Sequence, residues 1–381
     1  MGKFVEYPTE GKLNPTLAKL LSDLLRKEVV RGVLVPAIQP NGHMVHQTLV
    51  ADPDSMDVVD PFAPVVPTNG AKLVASLTAN PAGQPLAAVL RSCEVRAFTE
   101  LVKLHQGTTE DLLVIGLDCL GRYENRDFLN REDHGNGASL GFLKAATNGG
   151  DTKLPSGADI TAACRACEDV EPAGVDLRLC VLGADLDKSL WIEAVTEKGE
   201  AALAALELTP NGDTPPEREE AVSKLVADRR AYKKTMLEAF EEKTPDMASL
   251  SETVAACINC YNCRVACPVC YCRECVFVTD TFRHDGEQYL KWSLKRGQVK
   301  MPTDTVFYHL VRMVHMSTLC VGCGQCASAC PNDVPVMELF TSTAKRTQAR
   351  FDYVPGRNLE EGQPLAIFHA EEYDDVTGQV K

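Results

Sequence analysis

The sequence CINCYNCRVACPVCYCREC occupies residues 257–275, and CVGCGQCASACP occupies residues 320–331. Both stretches contain the arrangement C-x2-C-x2-C-x3-C-P, formed by Cys257, Cys260, Cys263 and Cys267 in the first and by Cys320, Cys323, Cys326 and Cys330 in the second. Eleven of the 16 cysteines of the chain fall within these two stretches. Two complete copies of one spacing indicate a paired metal site and decide the fold of this half of the chain.

This spacing is typical of proteins that hold two [4Fe-4S] clusters. Three closely spaced thiolates bind one cube, and the fourth, turned away by the proline, reaches the other cube. We therefore predict crossed ligand sets, with Cys257, Cys260, Cys263 and Cys330 for one cluster and Cys267, Cys320, Cys323 and Cys326 for the other. Structural zinc is the alternative, but C-x2-C pairs alone would serve it, without the third cysteine and the proline.

The interval between the two motifs is long for a minimal ferredoxin and contains a helical pattern that starts after Thr303. This favours an α-helical ferredoxin domain over the small β-rich type. The stretch CVGCGQCASACPNDVP, residues 320–335, resembles the ferredoxin-like subunit of heterodisulfide reductase and the iron-sulfur subunit of succinate dehydrogenase. That resemblance implies a helical domain with two [4Fe-4S] clusters.

The first 205 residues or so show apolar, strand-like runs at residues 29–38, 86–90, 112–117 and 177–182. Helical periodicity at residues 17–27 and 94–106 alternates with them. Such alternation predicts an α/β domain with a mostly parallel sheet. The glycine-rich residues 132–159 lack periodicity and predict a long loop.

Three segments of this half carry the sequences VLRSCEVRAF (89–98), VIGLDCLGRY (114–123) and ACRACEDVEPAGVDLRLCVLG (163–183). Together they resemble the beta subunits of coenzyme F420-reducing hydrogenase and F420-dependent formate dehydrogenase, over residues 15–205. The resemblance implies that Cys93, Cys119, Cys164 and Cys167 bind a further [4Fe-4S] cluster beside FAD.

A flavin is also expected on chemical grounds, because it can connect a two-electron hydride carrier to one-electron clusters. The chain has no GxGxxG fingerprint, so a simple dinucleotide-binding unit is disfavoured. Backbone amides near Thr68, Asn69, Gly70 and Gly183 are the candidates for binding the flavin phosphates. The alternative interpretation of residues 68–72 is an ordinary helix cap.

Four cysteines remain, namely Cys180, Cys270, Cys272 and Cys275. Sixteen cysteines would suffice for a fourth cluster, with Cys270, Cys272 and Cys275 among its ligands and its fourth ligand unknown. The alternative is that these three thiols surround or replace ligands of the other clusters. Cys180 lies inside an apolar run and is expected to be a core residue.

The composition limits the partners. Aspartate and glutamate number 53 against 39 lysines and arginines, and the net charge of -14 disfavours binding to nucleic acid. No apolar run approaches the ~20 residues needed for a transmembrane helix. Clustered cysteines without an export signal predict a cytoplasmic protein with metal ligands rather than disulfides.

Proline-rich residues 209–216 are typical of a linker, and residues 217–242 of an amphipathic helix. We therefore expect a flavin and iron-sulfur domain at 1–208, a linker helix at 209–250, a helical ferredoxin domain at 251–345 and an extended tail at 346–381.

These patterns predict an iron-sulfur flavoprotein subunit of an anaerobic oxidoreductase complex, with three clusters and FAD. Its expected partners are a catalytic subunit, such as a formate dehydrogenase or hydrogenase, and heterodisulfide-reductase-like or other iron-sulfur or flavin proteins. Its catalytic residues stay unknown. The alternative is an adaptor that bears clusters without flavin and connects two redox enzymes.

Overall fold

The computed structural model describes residues 3–40, 42–80, 83–131, 138–147, 152–299 and 305–366. The first half of the chain forms an α/β region. Its strands are β1 (Lys3–Pro8), β2 (Gly32–Ile38), β3 (Val45–Val50), β4 (Leu86–Arg91), β5 (Leu112–Leu117), β6 (Leu177–Cys180) and β7 (Ser189–Ala194). Its helices are α1 (Leu13–Arg26), α2 (Ala71–Thr78), α3 (Ser92–Lys103), α4 (Asn125–Leu129), α5 (Ala138–Thr147), α6 (Ala162–Arg165) and α7 (Glu197–Ala205).

The seven strands form one sheet in the order β1-β7-β6-β5-β4-β2-β3. The four central strands β2, β4, β5 and β6 pair in parallel, whereas β3, β7 and β1 are attached antiparallel at the edges. The α/β fold class is thus confirmed, with a sheet that is mixed. Its parallel character is confined to the centre.

Helices cover both faces of the sheet, which explains why the central strands are continuous apolar runs. Val33 and Val35 of β2 join the core beneath α1, and the intervening Leu34 joins the core beneath α2 and α3. The second core also contains Met316 and Leu319 from the cysteine-rich half of the chain. The two halves of the chain therefore share a hydrophobic core.

The second half is helical, as the spacing of its motifs predicts. It contains α8 (Pro216–Lys243), α9 (Met247–Thr253), α10 (Asn262–Ala266), α11 (Gly286–Arg296), α12 (Thr305–Met316), α13 (Gln325–Ser328) and α14 (Val336–Arg350). Short 3-10 turns at Pro53–Val58, Val276–Val278 and Asp280–Phe282 complete the described elements. Within the described residues, no helix is both long and apolar enough to cross a lipid bilayer.

Two buried arginines hold the long helix α8 on the α/β region. The Arg218 side chain is 1% exposed and donates to both carboxylate oxygens of Asp118, with Nη2 lying 2.9 Å from Oδ1. Asp118 also accepts from the backbone N–H groups of Val181 and Leu182, at 2.9 and 3.0 Å. Arg229 is buried farther along the helix. The predicted helix is therefore present, and charged contacts anchor it in addition to its apolar face.

Two segments with little sequence pattern have defined structure. The glycine-rich residues 132–159 were predicted to form one long loop, but residues 138–147 form α5, which places Leu143 in the core. Residues 351–366 return to α3, where the Tyr353 hydroxyl donates to Glu100 Oε2 at 2.6 Å and Gln363 Nε2 donates to the same oxygen at 2.9 Å. The rest of the predicted tail lies outside the described residues.

Candidate metal centres

The first group of predicted ligands, which we name the strand-end cysteines, comprises Cys93, Cys119, Cys164 and Cys167. Cys93 is the second residue of α3, directly after β4, and Cys119 follows the neighbouring parallel strand β5. The carboxyl ends of adjacent parallel strands share one edge of the sheet, so the topology brings these two residues together. Cys164 and Cys167 lie in and after α6.

Arg229 of α8 connects two of the strand-end cysteines. Its Nη1 atom donates to the carbonyl oxygen of Cys119 at 3.1 Å and to that of Cys167 at 3.2 Å. Cys164 packs beside Gly121, where a Cβ atom added to the glycine would stand 3.2 Å from the Cys164 Cβ atom. Burial raises the pKa of the Cys167 thiol to about 12, the neighbouring Asp169 carboxylate adds to the effect, and Cys119 contributes as well. The four positions therefore converge on one region of the structure.

The second group lines what we name the outer cavity. Its walls include Cys257, Cys260, Cys263 and Cys330, the four residues of the first crossed ligand set. The backbone N–H groups of Asn259 and Val334 donate to the sulfurs of Cys257 and Cys330, each at 3.4 Å. Such N–H···S contacts orient and stabilise thiolate ligands.

The third group lines what we name the central cavity. Its walls include Cys267, Cys320, Cys323 and Cys326, the second crossed ligand set, together with Pro268 and Gly322. Burial raises the pKa of the Cys323 thiol to about 12, and the Cys267 thiol is the next largest cause. Cys267 comes from the first motif and the other three from the second. The structure thus brings together the cysteines of each predicted crossed set.

The central cavity lies between the outer cavity and the strand-end cysteines. Burial raises the pKa of the Cys93 thiol well above its ordinary value, and the neighbouring Cys323 thiol is the next largest cause. On the opposite side, Cys326 and Cys263 pack in one apolar cluster. Cys260 of the outer cavity is exposed at the protein surface. The three cysteine groups therefore stand in a row that leads from the sheet to the surface.

Gly324 makes the close approach of the two halves achievable. It precedes α13 with φ of +72°, and a Cβ atom at this position would lie 2.3 Å from the Cβ atom of Ala163 in α6. Arg122 and Gln325 add hydrogen bonds across the same junction, to Ser328 Oγ at 2.7 Å and to the carbonyl oxygen of Val66 at 2.9 Å. The second motif is therefore pressed directly against the strand-end cysteines.

The chemistry of the donors fits [4Fe-4S] clusters. Each cavity has four thiols, short loops that supply backbone N–H groups, and left-handed residues that turn those loops, namely Asn259, Tyr261, Gly322 and Gly324. Among the described residues, no three His, Cys, Asp or Glu side chains are placed so as to hold a single metal ion. A buried thiol must lose its proton to become a ligand, so binding of the group and deprotonation are coupled.

The structure does not gather Cys270, Cys272 and Cys275 into one site. Cys270 packs on the core beneath α2 and α3, Cys272 is exposed, and Cys275 joins the aromatic cluster around Tyr308. Cys180 is fully buried in β6, as expected for a core residue.

The candidate flavin-binding amides have other partners in the structure. The N–H of Gly70 donates to Glu94 Oε1 at 2.7 Å, and the Asn69 side chain accepts from the N–H of Ala71 at 3.0 Å. Thr68 is exposed at the same turn. Gly183 packs against the start of α8, where a Cβ atom would lie 2.5 Å from the carbonyl oxygen of Glu217. Residues 68–72 thus form a helix cap, which is the alternative interpretation of their sequence.

Helix α12 contributes site residues that the motifs do not indicate. Tyr308 and His309 both line the outer cavity, and the Tyr308 hydroxyl lies 3.3 Å from Cys263 Sγ. Arg312 lies one turn later and donates to the same sulfur at 3.1 Å. The helical spacing of Tyr308 and Arg312 places them on one face of α12, but nothing in the sequence shows that this face meets the cysteines.

Comparison with known proteins agrees with this geometry. Residues 253–334 match the family described as 4Fe-4S dicluster domain. The F420-dependent formate dehydrogenase subunit beta of Methanocaldococcus jannaschii is 25% identical over 361 residues, which cover 88% of this chain and 90% of the relative. The F420-dependent formate dehydrogenase 1 subunit beta of Methanococcus maripaludis is 25% identical over 310 residues, or 74% of this chain and 75% of the relative.

Among solved structures, a chain of the xenon-derivatised F420-reducing [NiFe] hydrogenase complex from Methanosarcina barkeri aligns with a TM-score of 0.43 and 12% identity, over 65% of this chain and 93% of that chain. The sequence similarity to the two formate dehydrogenase subunits extends well past residues 15–205, the range that the local motifs indicate. The chain is therefore similar along most of its length to beta subunits of F420-dependent formate dehydrogenase, and it carries a 4Fe-4S dicluster domain in its helical half.

Proposed function

We propose that this protein is an iron-sulfur flavoprotein subunit that transfers electrons within a multi-subunit oxidoreductase complex. The observation that carries the proposal is the lining of the central cavity, where Cys267 of the first motif faces Cys320, Cys323 and Cys326 of the second. This exchange of the fourth cysteine is the ligation pattern of two-cluster ferredoxins. A [4Fe-4S] group at each of the three cysteine groups would supply one-electron transfer.

The row of cysteine groups supports a wire with two distinct ends. The inner end is formed by the strand-end cysteines at the carboxyl edge of the parallel strands, where open α/β sheets generally bind their ligands. The outer end reaches the surface at Cys260, beside Ile258, which is 60% exposed. We assign the inner end to the hydride-linked cofactor and the outer end to exchange with a partner protein.

A flavin at the inner end is the finer part of the proposal. Relatives named as F420-dependent formate dehydrogenase subunits support it, because a two-electron carrier must be coupled to one-electron groups. By the same names, the partners would be a catalytic formate dehydrogenase or hydrogenase subunit and a heterodisulfide-reductase-like or other redox protein. Sixteen free thiols are compatible with a reducing, cytoplasmic setting, which we also propose.

One observation favours a second candidate, a flavin-free adaptor that connects two redox enzymes. The amides of Gly70 and Ala71, at the turn proposed for flavin phosphates, are bonded to Glu94 and Asn69. Flavin analysis of an anaerobic preparation separates the two candidates. Stoichiometric flavin that a hydride donor reduces supports the flavoprotein, whereas cluster-replete protein without flavin supports the adaptor.

The cluster assignment is tested by Cys267→Ser with Cys272→Ser as the matched control. Cys267 lines the central cavity, and Cys272 is an exposed cysteine of the same stretch that lines neither cavity. We expect Cys267→Ser to damage the cluster bound by Cys320, Cys323 and Cys326, with the outer signal retained. Iron, sulfide and electron paramagnetic resonance measurements report this, and loss of only the outer cluster would contradict the crossed ligation.

A further inference from the structure

Arg312 lies in the wall between the two ferredoxin cavities. It belongs to α12, and its side chain helps to line the central cavity beside Cys320 and Cys326. It also reaches the outer ligand set, because its Nη1 atom donates to Cys263 Sγ at 3.1 Å and its Nη2 atom donates to the Cys263 carbonyl oxygen at 3.2 Å. One guanidinium thus touches both sites.

The surroundings of Arg312 are apolar apart from these contacts. The residue is 5% exposed, and its guanidinium carbon lies 4.4 Å from the centre of the Phe340 ring and 5.7 Å from that of Tyr308. Its Nε atom is buried and has no hydrogen-bond partner in the described part of the chain. An arginine stays protonated in proteins, so this is a buried positive charge.

No carboxylate forms an ion pair with Arg312 among the residues that the structure describes. The other deeply buried arginine, Arg218, has Asp118 as its partner. A buried charge without a counter-charge is strongly unfavourable, so a neighbouring negative group is expected. The acidic groups around Arg312 are the thiols of Cys263, Cys267 and Cys326 and the hydroxyl of Tyr308.

We propose that Arg312 is a positioning residue that supplies one shared counter-charge for the two ferredoxin clusters and raises the reduction potential of both. The inference rests on the proposed iron-sulfur function. A cubane with four thiolate ligands is negatively charged in both of its working states and more so when reduced. A fixed positive charge therefore favours the reduced state, and burial limits screening by salt.

The contacts predict an unequal effect on the two sites. Arg312 bonds directly to a sulfur of the outer ligand set, whereas it contributes to the central cavity as part of the wall. The outer cluster should respond more strongly than the central one. The cluster at the strand-end cysteines should respond least, because its cysteines do not contact Arg312 in the described structure.

The test is a redox titration of the whole protein, followed by electron paramagnetic resonance, for Arg312→Gln, Arg312→Lys and the control Arg264→Gln. Arg264 adjoins Cys263 in sequence, but its Nη2 atom donates to the carbonyl oxygen of Cys272 at 3.3 Å. At a fixed ambient potential, Arg312→Gln should lower the reduced-to-oxidised ratio of the outer cluster at least tenfold. For a one-electron couple, this corresponds to a downward shift of about 59 mV. Arg312→Lys keeps the charge and should shift the ratio by much less.

The outcomes separate this inference from the proposed function. If iron and sulfide are absent from the wild-type protein, the proposed function fails. If clusters are retained in Arg312→Gln and both potentials stay unchanged, or if Arg264→Gln shifts them as much, the counter-charge role is refuted. If Arg312→Gln does not assemble its clusters, Arg312→Lys decides: a near-native ratio supports the role of the charge, and a tenfold drop overturns it.

Discussion

Gly324 offers a direct test of how tightly the two halves of the chain are joined. Substitution by alanine places a residue with a side chain at φ of +72° and brings its Cβ atom to 2.3 Å from that of Ala163. The left-handed backbone costs about 1–2 kcal/mol, and overpacking of a filled contact adds about 1–3 kcal/mol. We therefore expect Gly324→Ala to lower the free energy of unfolding by about 2–5 kcal/mol.

Gly322→Ala is the matched control. Gly322 has φ of +69°, and no described atom lies within 4 Å of the position that its Cβ atom would take. It should show the backbone cost alone, so the two variants should differ by about 1–3 kcal/mol. In anaerobic thermal unfolding this difference is roughly 2–12 °C in Tm. Equal losses in the two variants would mean that the Ala163 contact relaxes freely, and the reasoning about the junction would be wrong.

Two further predictions concern buried carboxylates. Asp118→Asn leaves the Arg218 guanidinium without its counter-charge, so we expect a loss of about 3–5 kcal/mol in the free energy of unfolding by anaerobic denaturation; a loss below about 1 kcal/mol would contradict the anchoring role. Burial raises the pKa of Asp60 from 3.8 to about 6, so its contribution to stability is complete below about pH 4 and is lost as the pH rises through 6. Asp60→Asn should therefore gain stability over the wild type by about 1 kcal/mol between about pH 5 and pH 7, and a gain that does not change with pH would refute the shift.

The central strands of the sheet could be predicted because each is buried on both faces. Strands β2, β4, β5 and β6 are apolar runs, and their positions agree with the sequence patterns to within a few residues. Strands β1, β3 and β7 were not predicted. The sequences KFVEYP, VHQTLV and SLWIEA mix polar and apolar residues, because these strands lie toward the edges of the sheet.

The candidate site divides in a similar way. The grouping of Cys267 with Cys320, Cys323 and Cys326 follows from a local spacing that reflects the geometry of one cube. The positions of Arg312 and Tyr308 depend on how α12 packs on α10, which no local pattern records. The partners of Arg218 and Arg229 on the α/β region are likewise distant in sequence, so their role required the three-dimensional structure.

The ferredoxin half is fastened to the α/β region at both of its ends. Helix α8 enters it bound through Arg218 and Arg229, and residues 351–366 leave it bound to Glu100 through Tyr353 and Gln363. This double attachment leaves no hinge, within the described residues, about which the ferredoxin half could swing between donor and acceptor. Internal electron transfer in this protein should therefore proceed at a rate independent of solvent viscosity, in contrast to proteins whose redox domain must travel to deliver its charge.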